Sequence, residues 1–226
     1  MKMKTLSLLA GVGAPLIATA TAHAGFLGIK TTEKPNEFGL LVVNIYAIFD
    51  RPDPGDGSGD HMVAVAGTPN APMNIQVNGG TFWNSAFGGD QAPNAAFFPT
   101  FPSLEFDTFV TIGKKTATGD TLTITPGFPL GITGSSLAGT TFGWAVIPTA
   151  PQGDPFDAAN SYPGNGQILI GQFSTDNGTS IKGTMLVQYV SNGQSGQSIV
   201  SFGLPTPGTL ALFGAAGLIG RRRRRR

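Results

Sequence analysis

From residue 38 to residue 202 the chain is a series of short apolar runs separated by Gly, Pro, Asn and Asp clusters, with no sustained 3.6-residue period. The runs predict strands over 39–49, 62–66, 73–77, 103–112, 121–125, 141–147, 167–174, 180–191 and 198–202. Several alternate. Met73, Ile75 and Val77 share one face while Asn74, Gln76 and Asn78 share the other, and Leu122 and Ile124 are set between Thr121, Thr123 and Thr125. A period of two suits a sheet with one solvated face. Asp176-Asn177-Gly178 reads as a hairpin turn, because Asn-Gly accepts the positive φ of a tight reversal. About nine or ten strands in about 180 residues predict an all-β chain built as a single β-sandwich, Ig-like or jelly-roll, in preference to a closed barrel. Two segments depart from the pattern. Residues 31–36 read as a short flexible lead-in, and residues 79–102, where Phe, Trp, Gly and Pro mix without a period, read as a long ordered loop packing aromatic rings.

The two ends are of another kind. Residues 1–24 carry Lys2 and Lys4, an apolar stretch from Leu6 to about Ala20, and Ala22-His23-Ala24 before Gly25. That order is a secretory signal peptide with cleavage between Ala24 and Gly25, and it predicts a signal helix handled by the export translocon and signal peptidase. At the other end, Pro205-Thr206-Pro207-Gly208 precedes an apolar stretch over 209–220 and six arginines over 221–226. Twelve residues as a helix span about 18 Å, short of the roughly 30 Å bilayer core, so this transmembrane helix is a transient anchor. The arginines hold the tail on the cytoplasmic side. The expected organisation is 1–24 signal peptide, 25–204 β-sandwich domain and 205–226 sorting signal.

The tail resembles a PEP-CTERM sorting signal, with Pro205-Thr206-Pro207 where that family has Pro-Glu-Pro; Thr206 stands in the place of Glu. It also matches four of the five positions of the LPxTG signal, Leu204-Pro205-Thr206-Pro207-Gly208, with Pro207 where that signal has Thr. The first resemblance implies an exosortase-like membrane protease or transpeptidase as partner. It also implies an exported protein of a Gram-negative-type envelope, at the cell surface or extracellular, in company with extracellular polysaccharide. It covers only the tail and carries nothing about the activity of the body.

Charge sharpens the picture. The formal net charge is +1, with 14 Lys and Arg against 13 Asp and Glu, yet eight of the basic residues lie in the two terminal segments. Residues 25–204 hold six basic and thirteen acidic residues, a net of −7. So acidic a body does not neutralise phosphates, and nucleic acid is not an expected partner. The chain has no cysteine and two histidines, His23 and His61, which excludes disulfides, thiolate metal sites and Cys nucleophiles. His61 has no identifiable Ser-Asp partnership and reads as an ordinary residue opening a strand.

Three constellations remain. Asp50, Asp53, Asp56 and Asp60 place four carboxylates in eleven Gly-rich residues, an oxygen-rich loop able to hold calcium, although the EF-hand spacing is missing; the alternative is a solvated loop. Glu105 and Asp107, two apart on a predicted strand, share a face about 6.5–7 Å apart, but glycosidase pairs normally face each other across a cleft. The simpler reading is the wet side of a strand. Phe82, Trp83, Phe87, Phe97, Phe98 and Phe101 read either as core or as a platform for sugar rings, with Trp83 and Trp144 as the indoles suited to stacking. The expectation is a secreted or surface-displayed, non-enzymatic structural or extracellular-matrix protein without a cofactor. The alternative is a carbohydrate- or protein-binding module, and a glycan hydrolase stands third.

Overall fold

The computed structural model describes residues 25–50, 59–129, 131–162 and 165–203. The predicted signal helix, residues Asp53 and Asp56 of the acidic loop, and the sorting motif with its apolar helix and arginines lie outside the described residues. No helix among the described residues is long and apolar enough to cross a membrane.

The body is all-β, with two antiparallel sheets and only short 3₁₀ turns besides. Eleven strands are described: β1 Phe26–Pro35, β2 Leu40–Phe49, β3 His61–Ala66, β4 Met73–Asn78, β5 Phe109–Val110, β6 Thr123–Ile124, β7 Ser136–Gly139, β8 Gly143–Ala145, β9 Gln167–Asp176, β10 Ser180–Ser191 and β11 Gln194–Phe202. One sheet runs β1-β2-β9-β5; the other runs β6-β8-β3-β10-β4-β7, with β11 also on β10. β10 is the organiser of the larger sheet. Residues 186–190 pair with β3 and 180–184 with β4, so those two strands lie end to end along one edge, while β11 takes the other over 183–191.

The two sheets share one apolar core. Val43, Ile45, Ala47, Ile168 and Phe173 of the smaller sheet belong to the same buried cluster as Met62, Val65, Ile75, Met185 and Val187 of the larger. β4 shows the sequence logic directly: Met73, Ile75 and Val77 are buried, while Asn74 and Asn78 are exposed. β9 is buried along almost its whole length, as befits the strand with β2 on one side and β5 on the other. Trp144 is fully buried, edge-on to Phe128 at 6.1 Å, and its indole Nε1 donates to the Thr111 carbonyl at 3.0 Å. A large ring is thereby placed in the core without stranding its one polar atom.

Four expectations are corrected. Residues 31–36 are not a flexible lead-in: Thr31 to Pro35 complete β1 and pair in register with β2. That strand is mostly exposed and carries Lys30, Glu33 and Lys34, the charged composition that protects a sheet edge and reads in sequence as a linker. Residues 103–112 are not one strand. Pro102 opens a 3₁₀ turn, Pro102–Phe106, its fixed φ suiting the first turn position, and only Phe109–Val110 pairs with β9. The turn after Asp176 is tight, with Gly178 at φ 93°, but it is not a hairpin: β9 and β10 lie in different sheets, so it is an arch between layers. The two-residue hairpin lies instead at Asn192-Gly193, φ 55° and 68°, closing Ser191 against Gln194. Finally, β7 adds a strand where none was expected.

Candidate functional site

The aromatic loop between β4 and β5 is held in place by backbone pairing and by two carboxylates. Its first residues extend the smaller sheet. Phe82 bridges Thr175, the Trp83 amide donates to the Ser174 carbonyl at 2.7 Å, and the Thr108 hydroxyl donates to the Trp83 carbonyl at 2.6 Å. Beyond them the chain leaves the sheet, and its amides find side-chain partners instead. Asp107 Oδ1 accepts from the Ser85 amide at 2.8 Å, and its Oδ2 accepts from the Gly89 amide at 2.9 Å. Asp90 Oδ1 and Oδ2 accept from the amides of Ile132 and Gly131 at 2.8 and 2.9 Å, tying the aromatic loop to the loop before β7. The Ser85 amide is buried and must be paired, and along this stretch carboxylates take the place of a ladder strand.

Asp107 is fully buried. Burial pushes its carboxyl above the usual carboxylate range, against the amides of Ser85, Gly89 and Thr108, which favour the charged form; the charge of Asp90 pushes it up again. Gly88 lies against this carboxylate so closely that a Cβ there would collide with Oδ2. Gln172 of β9 closes the arrangement from below. Its amide nitrogen donates to the carbonyls of Glu105 and Asp107 at 3.0 and 2.9 Å, which holds the 3₁₀ turn on the sheet.

Residues of the clamped loop, together with Ile124 to Phe128, line an open groove of about 830 Å³. Phe87 and Phe97 are among its lining residues and are 64% and 53% exposed, unusual for phenylalanine. Phe87 is backed by Phe101 at a ring-centroid distance of 4.1 Å, and Phe101 in turn bonds through its amide to the Phe97 carbonyl at 2.7 Å. Gln91 and Asn94 bring exposed side-chain amides to the same groove, and the Asn94 carboxamide oxygen also caps the 3₁₀ turn Ala95–Phe97. Exposed aromatic faces beside amides provide apolar stacking together with hydrogen-bond donors and acceptors.

The six aromatic residues of this loop therefore divide. Phe82 is buried in the core and touches Phe173 at 5.7 Å; Trp83, Phe98 and Phe101 are half-buried; Phe87 and Phe97 face solvent. Trp144 belongs wholly to the core. Glu105 and Asp107 do not sit side by side on a strand face. Glu105 is exposed within the 3₁₀ turn, while the Asp107 carboxylate turns inward to the amides of Ser85 and Gly89, the difference following from the turn that Pro102 initiates. The acidic loop is also divided: Asp50 is exposed at the end of β2 and Asp60 is fully buried before β3. Among the described residues no group of three or more His, Asp or Glu side chains is placed to hold a metal ion. His61 opens β3, half-buried, with Nδ1 3.4 Å from the Gly59 carbonyl.

No protein-family model, curated protein or solved structure matches the chain. The functional reading therefore rests on the residues themselves.

Proposed function

We propose that the chain is an exported, surface-displayed β-sandwich of the Ig-like or jelly-roll kind. It is processed at both ends by signal peptidase and an exosortase-like enzyme, and serves as a non-enzymatic component of the extracellular matrix. The observation that carries this reading is the segregation of charge. Every basic residue that could hold the tail on the cytoplasmic side follows residue 220, while the body keeps thirteen acidic residues against six basic. The buried carboxylate at Asp107 is engaged with backbone amides and supports the fold of the aromatic loop. The experiment is expression in a Gram-negative host with and without an exosortase-type enzyme, followed by fractionation. The reading predicts recovery at the surface or in the medium only when the enzyme is present; a product that stays cytoplasmic in both strains refutes it.

A second reading is favoured by one specific feature, the exposed Phe87 and Phe97 at the groove. In it the domain holds extracellular polysaccharide, with sugar rings against the phenyl faces and hydroxyls on Gln91 and Asn94. Affinity electrophoresis in gels containing the host's exopolysaccharide tests it. Retardation that falls at least about tenfold in apparent affinity with Phe87→Ala and Phe97→Ala together supports it; equal retardation of the wild type and the double variant refutes it.

A further inference from the structure

Where β1 begins, three buried groups meet. Gly25 is buried immediately before Phe26, Asp60 is fully buried before β3, and Ser191 is 1% exposed at the end of β10. A Cβ on Gly25 would collide with Ser191 Oγ and would lie 2.5 Å from Asp60 Oδ1. The Gly25 nitrogen, on the same Cα, is thus within about 5 Å of both oxygens. Ser191 Oγ has no hydrogen-bond partner although it is buried. Gly25 is also fixed. Its carbonyl accepts from the Asp50 amide at 3.1 Å, and the next residue, Phe26, stacks on Tyr189 at 4.9 Å and tilts against Phe49 at 5.5 Å.

We propose that Asp60 and Ser191 are the seat of the mature chain's own N-terminus. The proposal rests on the export reading, since it needs cleavage between Ala24 and Gly25. That hydrolysis adds one water across the peptide bond, leaving a carboxylate on Ala24 and an α-ammonium on Gly25. A group that donated one N–H as an amide then donates three and carries a charge at neutral pH. An α-ammonium beside a buried carboxylate gains a charge-assisted hydrogen bond, whatever else that carboxylate holds, and the Ser191 hydroxyl, which has no other partner, supplies a second acceptor. The seat lies where β1 of one sheet meets β3 and β10 of the other, so processing adds a charged pin between the two layers. Only glycine fits there, because any side chain at position 25 would occupy the space of the two oxygens.

The test uses the exported protein as recovered from its host. Mass spectrometry of the N-terminal peptide identifies the first residue, and acetylation at pH 7 with an amine-reactive reagent is timed for the Gly25 α-amine, folded and in urea. The seat predicts that the folded wild type labels at least about tenfold more slowly than the urea-unfolded chain, and that Asp60→Asn restores most of the lost rate. Should Asp60→Asn not fold, Ser191→Ala is expected to restore part of it. A chain that begins at Gly25 and labels equally fast folded and unfolded overturns the seat alone. So does a slow rate left unchanged by every folded variant. A chain that begins at another residue overturns the cleavage reading itself.

Discussion

Asp107 Oδ1 accepts the Ser85 amide at 2.8 Å across 22 residues of sequence, and the same carboxylate reaches the Gly89 amide with its other oxygen. One buried side chain thus shapes the wall of the groove. Removing it leaves loop amides without acceptors, at about 1–3 kcal/mol for each that stays dry. Urea unfolding at neutral pH should show a loss of about that size for Asp107→Asn, which keeps one acceptor oxygen, and a larger one for Asp107→Ala.

Asp107 also predicts a pH dependence. Its carboxyl is raised above the ordinary value of 3.8 in the folded state, so the folded chain holds this proton more tightly than the unfolded chain does. The resulting stability is fully present below about pH 3.8 and is lost as pH rises through the raised value. Denaturant midpoints taken from about pH 4 upward should therefore contain a declining contribution that disappears in Asp107→Asn. An identical pH profile in the variant would contradict the assignment.

Tyr46 and Tyr162 supply the alkaline counterpart. The Tyr46 hydroxyl donates to the Tyr162 oxygen at 2.7 Å, with the rings edge to face at 4.9 Å. Burial raises the Tyr46 phenol well above its ordinary value of 10.0, and the Tyr162 hydrogen bond and charge add to this, against a smaller opposing bond from Thr32. This contribution is present below about pH 10 and is lost as pH rises through the higher folded value. Tyr46→Phe should cost about 0.5–1.5 kcal/mol at neutral pH. It should also flatten the loss of stability above pH 10, as thermal melts in that range would show.

Trp144 gives a test of the shared core. Trp144→Ala removes a fully buried indole and should cost about 3–5 kcal/mol. Trp144→Phe retains much of the volume but strands the Thr111 carbonyl, and should cost less. Phe87→Ala, by contrast, removes an exposed ring and should change stability by no more than about 0.5 kcal/mol. Calorimetric melting of the three variants ranks them directly.

Much of the fold could be read from local pattern. β4 alternates as its residues demand, and β2, β3, β9 and β10 each lie where an apolar run predicts a strand. What escaped is set by tertiary context. β1 is a charged edge strand whose composition matches that of a linker, and two Asn-Gly pairs with the same local signal do different things. Asn192-Gly193 closes a hairpin, whereas Asn177-Gly178 arches between sheets because β9 and β10 are each paired with other strands on both sides. The candidate site follows the same division. The aromatic loop stands out by composition, but Asp90 and Asp107 could not be identified as its clamps. Their partners are backbone amides 18 to 42 residues away, and an amide leaves no mark in a sequence. Likewise, no spacing rule connects Gly25 with Asp60 and Ser191.

The working molecule is proposed to be the acidic body, freed of both basic ends. The intact mass of the protein recovered from the cell surface or medium tests it most directly. Export with processing at both ends predicts a chain that begins at Gly25 and has lost Arg221 through Arg226. A surface-recovered chain that still carries its six arginines, or still begins at Met1, would contradict it.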